Sequence, residues 1–260
     1  MCSSDLLAAQ KQALVELTHA PELLGDDREI LTRKVATTAR HTLGCREVSV
    51  WWREGESLAR QGCTRTGRGW ETHAREIRLD AGRLAALDQT PVLSFAEGAK
   101  DNHAAHWRTS GTVSSSLQVG LRRGGALAGV MVCSSEEMSR AWHQDEESFA
   151  DSLGAILMQS LEARDRRQAF AALEASQKKL AKELAEASAY VQAILPPARF
   201  DSPTVDWIFV PSAELGGDAF GYHWLDDDHF AMYLLDVCGH GVGAALLSIS
   251  ALNVDRKSVV

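Results

Sequence analysis

The sequence predicts an α+β protein in which a sheet-containing domain, a long helix and a second β-rich segment follow one another. Three observations support this class. Helical and strand periodicities alternate up to residue 161, a helical pattern without glycine or proline continues to residue 194, and extended segments return from residue 205. The 260 residues suffice for one to two domains.

Composition narrows the function classes. The chain is 45% hydrophobic and 24% charged, as in ordinary globular proteins, and its net charge of −8 argues against a general binder of nucleic acid or anionic membranes. No apolar stretch approaches the ~20 residues that span a bilayer, and no signal peptide is recognisable. The five scattered cysteines form no CxxC pair, which argues against zinc or a disulfide framework and favours a cytoplasmic location.

The first elements follow from local periodicity. Apolar residues recur at helical spacing in two patterns within residues 7–44, separated by the break "PELLGDD". The alternating "EVSVWW" predicts a strand, and "TPVLSF" predicts a short extended segment. "VSSSLQVGLRRGGALAGVMVCS" predicts two strands joined by a tight turn at "RRGG". An amphipathic helix opens at Gln144 with acids in its first turn.

This order of elements resembles the GAF domain over about residues 7–165. The hairpin "SLQVGLRRGGALAGVMVCSS" and the helix "DEESFADSLGAILMQSLEAR" carry the resemblance. It implies a six-stranded antiparallel sheet with helices behind it, and often a sensor pocket or a dimer interface. A small-molecule ligand is thus one possibility that the resemblance implies, and no residue pattern names it.

Several side chains of this domain are candidates for ligand or metal chemistry. Cys45 and Cys63 could be reactive or attach a chromophore, but burial as small hydrophobic residues is the favoured interpretation. Four histidines lack metal-ligand spacing and are expected at the surface: His73, His103, His106 and His143. Four tryptophans could line a pocket, with packing in the core and at its rim favoured: Trp51, Trp52, Trp70 and Trp107.

A heptad seam occupies residues 162–195. Its members step by three and four residues: Phe170, Leu173, Gln177, Leu180, Leu184, Ala187, Val191 and Ile194. The pattern favours a parallel two-stranded coiled coil and hence a homodimer, with Gln177 weakening the seam while setting its register. A single solvated helix is the alternative. Either helix must end at Pro196-Pro197.

Two acids mark the strand ends of the last segment. "VDWIFVPSAELGGDAFGYHWL" and "HFAMYLLDV" predict strands around a "DDDH" turn, and "VGAALLSISALNV" begins a helix. Asp218 starts one strand and Asp236 ends the next, so antiparallel pairing can bring their carboxylates together to hold divalent cations. Two such cations could polarise a phosphoryl group and generate a hydroxide nucleophile. Taken alone, an aspartate before glycine is more often a turn residue.

The stretch "AELGGDAFGYHWLDDDHFAMYLLDVCGHGVGAALLS", with "ILPP" before it, resembles the N-terminal motifs of SpoIIE/RsbU-type protein phosphatases of the metal-dependent 2C superfamily. The resemblance covers about residues 190–254, and we expect 198–254 to be the first part of that β-sandwich domain. It implies dephosphorylation of phosphoserine or phosphothreonine on a phosphoprotein such as an anti-sigma factor antagonist. Two Mn²⁺ or Mg²⁺ ions would serve as cofactors.

The same resemblance implies roles for individual residues. Asp236 would bridge both metals, the carbonyl of Val237 would bind one, and Asp218 would act directly or through water. Four glycines would shape the loops: Gly216, Gly217, Gly239 and Gly241. His240 is interpreted as loop structure before general acid. Family members use two later aspartates, which we expect beyond Val260, so the chain by itself is expected to be inactive.

Both chain ends match translated strands of a common sequencing adapter, "SSDL" within residues 1–6 and "DRKSVV" at 255–260, and we expect native sequence only between them. The predicted function is a GAF-regulated serine/threonine phosphatase. A sensor and dimerisation module without chemistry is the alternative. A sensor that regulates a cyclase is disfavoured by "ELGGD" and "DVCGHG".

Overall fold

The computed structural model describes residues 3–72, 75–78, 81–96, 115–137, 140–210 and 215–258. The chain divides into two units, one up to Gln168 and one from Ala169. The helices are α1 (Ser3–Thr18), α2 (Arg28–Leu43), α3 (Ala81–Gln89), α4 (Gln144–Ile194) and α5 (Val242–Ser258), with a 3-10 turn at Pro21–Leu24. Among the helices described, none is both long and apolar enough to cross a membrane.

The first unit contains a seven-stranded antiparallel sheet. Its strands are β1 (Glu47–Glu54), β2 (Ser57–Arg65), β3 (Arg68–Glu71), β4 (Glu76–Arg78), β5 (Val92–Ala96), β6 (Ser115–Arg123) and β7 (Ala126–Ser135). The spatial order is β3-β2-β1-β7-β6-β5, with β4 also paired to β2. The short strand β4 therefore adds one strand to the six that the resemblance implied.

Helices cover both faces of this sheet. Leu117, Val119 and Leu121 of β6 share a buried cluster with residues of α1, α2 and α4. The opposite face packs Trp51 and Val132 with Leu87 of α3, among others. Because strand side chains alternate between faces, both faces are apolar, and each fully buried large side chain contributes about 1.5–3 kcal/mol.

The β6–β7 hairpin confirms the predicted "RRGG" turn. Gly124 and Gly125 adopt φ values of 56° and 87°. Two successive residues with positive φ are what a two-residue hairpin turn of this hand needs, and glycine adopts them without a steric cost. The local sequence therefore sets the register of this central hairpin.

Helix α4 begins at Gln144, as the acidic first turn predicted. The Glu146 carboxylate accepts hydrogen bonds from the backbone N–H of His143 at 3.0 Å and from Arg140 at 2.7 Å. The helix ends at Ile194, before the two prolines. Its start and its end are thus both explained by neighbouring residues.

The structure divides the predicted heptad seam into two parts. Phe170, Leu173 and Leu180 are exposed to 69%, 56% and 57% of their surface. Farther along, Val191 is buried in a cluster that lies wholly inside the second unit. The members and neighbours of this cluster are Leu184, Ala187, Val191, Ile194, Leu215, Ala245 and Ile249. Only the first part of the seam therefore presents a free apolar stripe.

The second unit contains a two-stranded antiparallel sheet, β8 (Ala219–Trp224) and β9 (Phe230–Leu235), which is what the described residues contribute to the expected sandwich. The strand predicted from residue 205 is wrong over 206–210. Val205 pairs only with Arg199, and Ile208 and Val210 are 92% and 81% exposed. Strand-forming residues need a neighbouring strand to pair with, and the described part of the chain offers none there.

Candidate functional site

The closed end of the β8–β9 hairpin is stabilised by Asp226. Its Oδ1 accepts hydrogen bonds from the backbone N–H of Asp228 at 3.0 Å and of His229 at 2.8 Å. The His229 ring lies 2.7 Å from the same oxygen, and this hydrogen bond is the main cause that lowers the pKa of Asp226. The predicted "DDDH" turn is therefore held by its own side chains.

The open end of the hairpin carries the two predicted acids. Ala219 pairs with Leu235 as the last register pair of the sheet. Asp218 immediately precedes β8 and Asp236 immediately follows β9, so the two residues occupy the next opposed position. Both are exposed. Directly opposed like charges destabilise a strand pair, and a cation between them would remove that repulsion.

Two glycine-containing loops lie against each other beside these acids. The Gly241 N–H donates to the Leu215 carbonyl at 3.0 Å, and Gly216 pairs with His240 in an isolated β-bridge. Gly239 has a φ of 105° and Gly241 a φ of 86°. All four glycines predicted to shape the site thus belong to these two loops.

The Val237 carbonyl lies next to Gly217. A Cβ at position 217 would stand 2.5 Å from the Val237 oxygen and 3.0 Å from Cβ of Ala244. A contact of 2.5 Å essentially never occurs with a real Cβ atom, so glycine is needed for this close approach to the Val237 oxygen. The two loops can therefore lie together beside the carbonyl predicted to bind metal.

A cavity of about 700 Å³ adjoins the hairpin, and Asp218 and Asp236 are among its lining residues. Aromatic and aliphatic side chains form much of the remaining wall, including Trp207, Phe209 and Tyr233. Asp206 also lines it. The volume lies in the range of small-molecule and substrate sites.

The residues present fit the chemistry of one hard cation. Two carboxylates and a backbone carbonyl are oxygen donors of the kind that Mg²⁺ and Mn²⁺ prefer, and Mg²⁺ commonly retains water beside one or two carboxylates. Within the described ranges, no group of three or more His, Cys, Asp or Glu side chains is placed to share an ion. A two-ion set needs further ligands.

Trp207 is a residue near the site that the sequence reasoning did not single out. Its indole N–H donates to the Pro196 carbonyl at 2.9 Å, and its ring lies 4.9 Å from that of Phe220 on β8. The tryptophan therefore ties the end of α4 to the hairpin. The sequence feature that could have indicated this contact is a tryptophan ten residues after a double proline.

Three cysteines of the first unit are buried: Cys45, Cys63 and Cys133. Cys45 and Cys63 are both buried, as the favoured interpretation required. Burial raises the pKa of the Cys63 thiol, which lowers its nucleophilic thiolate fraction. The pKa of Cys133 is also raised, first by a hydrogen bond with Cys45 and then by burial. These features favour packing over reactivity.

The tryptophans differ in their roles. Trp51 is fully buried, and Trp70 packs partly buried against the core, as predicted. Trp52 packs partly against the core and also lines a second cavity. His143 is exposed. The remaining candidates, His73, His103, His106 and Trp107, lie outside the described residues.

Solved structures resemble this chain in fold. The bacteriophytochrome RpBphP3 from R. palustris aligns with a TM-score of 0.54 at 13% identity, covering 71% of this chain and 43% of that one. The chromophore-binding domain of RpBphP3 aligns with a TM-score of 0.52 at 10% identity, covering 64% of each chain. Identities this low show the fold alone.

Sequence comparison adds one relative and one family. Phosphoserine phosphatase RsbP of Bacillus subtilis (strain 168) is 38% identical over 50 residues, which cover 19% of this chain and 12% of RsbP. The chain thus spans a small part of that relative's length. The GAF domain model matches residues 27–161, about half of the chain. Together with the antiparallel sheet and its helices, this match shows that the chain belongs to the GAF domain family.

Proposed function

We propose that this chain combines a GAF sensor with the first part of a cytoplasmic protein phosphatase. The phosphatase would remove phosphate from serine or threonine of a phosphoprotein such as an anti-sigma factor antagonist. The opposed placement of Asp218 and Asp236, beside a carbonyl that only glycine can approach, is the observation that carries this proposal. The similarity to RsbP, a phosphoserine phosphatase by name, supports it.

The proposed roles follow from the hairpin. Asp236 and Asp218 would hold Mn²⁺ or Mg²⁺ through oxygen, with the Val237 carbonyl as a further ligand. The bound cations would supply positive charge to a phosphoryl group and lower the pKa of a coordinated water. Gly217 allows the loop before β8 to approach the Val237 carbonyl, and in our proposal the three donors then face one site. The neighbouring cavity would receive the phosphorylated segment of the substrate.

A module that only senses and dimerises is the second candidate, and the exposed seam of α4 would supply its dimer contact. Phe170, Leu173 and Leu180 leave apolar surface on α4. Pairing with a second copy in a parallel coiled coil would cover this surface. Dimerisation is compatible with both candidates, so only a test of catalysis separates them.

The test is Mn²⁺-dependent release of phosphate from a phosphoserine protein. It is run with the 260-residue chain and with a longer polypeptide that carries the remaining family ligands. We expect turnover by the longer polypeptide alone, and loss of that turnover in Asp236→Asn. Asp228→Asn is the matched control, because Asp228 is an exposed acid in the turn of the same hairpin.

Two outcomes would contradict the proposal. The first is Asp236→Asn turnover equal to that of the unsubstituted longer polypeptide. The second is the absence of any Mn²⁺-dependent turnover in a longer polypeptide whose folding circular dichroism has verified. The second outcome would leave the sensor and dimerisation module as the function of the chain.

A further inference from the structure

A second cavity, of about 550 Å³, lies entirely within the first unit. Part of its wall is apolar and includes Trp52, Met158 and Leu161. Four arginines also line it: Arg28, Arg53, Arg123 and Arg164. Two acids, Glu54 and Asp165, accompany them. The lining therefore carries an excess of positive charge over an apolar wall, in a volume suited to a small ligand.

Asp165 neutralises part of this charge. Its carboxylate accepts hydrogen bonds from both Arg123 and Arg164, the latter at 2.9 Å. These contacts lower the pKa of Asp165, and the hydrogen bond from Arg123 has the largest effect. One carboxylate shared by two guanidinium groups leaves donor N–H groups on each, because every guanidinium carries five.

Arg28 makes no such hydrogen bond to a carboxylate among the described residues, although the charge of Asp165 acts on it. Its guanidinium lies 4.3 Å from the centroid of the Trp52 ring, and the described part of the chain supplies no ion pair for it. Desolvation lowers the pKa of Arg28 because burial disfavours the charged form, and the negative charge of Asp165 opposes this shift. Since a guanidinium stays charged at any physiological pH, this cation remains available to an anion.

We propose that this cavity binds a small organic anion that joins a phosphate, phosphonate or carboxylate group to a planar apolar portion. Arg28 and Arg123 bind the anionic group, since guanidinium groups match its geometry with paired N–H donors. The planar portion packs against Met158 and Leu161, because the Arg28 guanidinium already lies over the Trp52 ring. This inference concerns the first unit alone and does not depend on the phosphatase proposal.

The cavity also reaches the long helix. Arg164 and Asp165 belong to α4, which continues to Ile194. A bound anion competes with Asp165 for Arg123, so occupancy changes the charge pairing on this helix. The ligand site and the helix therefore share side chains.

The probe is phenylphosphonate, which phosphatases do not hydrolyse. Its binding to the 260-residue chain is measured by calorimetric titration in the presence of EDTA, so that no metal at the hairpin can capture it. Inorganic phosphate tests the anionic group alone, and benzyl alcohol tests the ring alone. Arg28→Gln and Arg123→Gln remove the proposed contacts, and Arg33→Gln removes an equal charge from an exposed position of α2.

We expect saturable binding of phenylphosphonate that weakens in high salt. Arg28→Gln and Arg123→Gln should each weaken it by roughly tenfold, and Arg33→Gln should leave it unchanged. The inference is overturned if millimolar phenylphosphonate shows no saturable binding, or if all three variants bind like the unsubstituted chain. Benzyl alcohol or inorganic phosphate binding as tightly as phenylphosphonate would also overturn it, since each lacks one of the two proposed portions.

Discussion

The backbone of Gly217 lies so close to Val237 that a Cβ at position 217 would stand 2.5 Å from the Val237 carbonyl oxygen. This contact joins the loop before β8 to the loop after β9. It also places a backbone oxygen beside the two acids at the open end of the hairpin. The candidate site therefore depends both on its two carboxylates and on the absence of a side chain at Gly217.

Gly217→Ala should separate these loops. An alanine methyl group cannot occupy the space beside the Val237 oxygen, so the backbone must shift and the loops should open. We expect faster hydrogen exchange across residues 215–245, measured by mass spectrometry. Gly243→Ala is the matched control, because a Cβ at this position near the start of α5 meets nothing within 4 Å and should leave the loops in place. Equal exchange in both variants would contradict this account.

Asp218 and His240 should differ in their effect on phosphatase turnover by the longer polypeptide. Asp218→Asn should lower turnover strongly at limiting Mn²⁺ and recover in part at high Mn²⁺ if its role is through water. His240→Lys should be mild, because the histidine is exposed and its backbone supplies the bridge to Gly216. Turnover is measured over a Mn²⁺ series, with folding checked by circular dichroism. Abolition by His240→Lys, with Asp218→Asn near normal, would favour a histidine-based mechanism instead.

The exposed seam of α4 should mediate dimerisation. Leu173→Asp combined with Leu180→Asp should yield a monomer, since a dimer would bury unpaired charge. Leu184 is left intact because it packs against a buried cluster inside the second unit, with Leu215 and Ala245 among its members. Sedimentation velocity at tens of micromolar measures the outcome. Ala172→Asp with Ala175→Asp, on the outer face of the heptad, should remain dimeric, and a monomeric unsubstituted chain would refute the coiled coil.

The cysteines should differ in alkylation by iodoacetamide. Cys238 is exposed and should react in the native protein at mildly alkaline pH. Cys63 and Cys133 are buried with raised pKa values, so they should react only after unfolding in guanidinium chloride. Mass spectrometry of the labelled peptides distinguishes these sites. Rapid labelling of Cys63 in the native protein would contradict this prediction and support the alternative that Cys63 is a reactive thiol.

The Asp165 ion pairs should make the first unit sensitive to acid. Its pKa is lower in the folded state, so its stabilisation is complete above the unfolded value of about 3.9 and is lost as the pH falls through the folded value. Asp165→Asn should therefore unfold at lower urea concentration near neutral pH, with the difference vanishing in strong acid. Asp151→Asn, on the same helix, should show little effect. A pH-independent difference would mean that the carboxylate acts through packing.

Several elements could be predicted because adjacent residues encode them. Acidic residues after Gln144 and prolines after Ile194 set the limits of α4, and Gly124-Gly125 specified the central hairpin turn. Strand β2 was not predicted, because apolar and polar residues hardly alternate in "SLARQGCTR". Leu58 and Cys63 are nevertheless fully buried in it. This segment forms a strand because it pairs with β1, and that pairing cannot be predicted from its own residues.

Local sequence patterns were enough to predict the order of elements, the apolar stripe along α4 and the two acids at the ends of neighbouring strands. Three features became visible only in the fold: half of this stripe is covered, residues 206–210 form no strand, and Gly217 meets the Val237 carbonyl. The fold also gathers Arg28, Trp52, Arg123 and Arg164 around one cavity. The reason is physical: periodicity and turn preference act between near neighbours, whereas register and helix packing decide which distant residues meet.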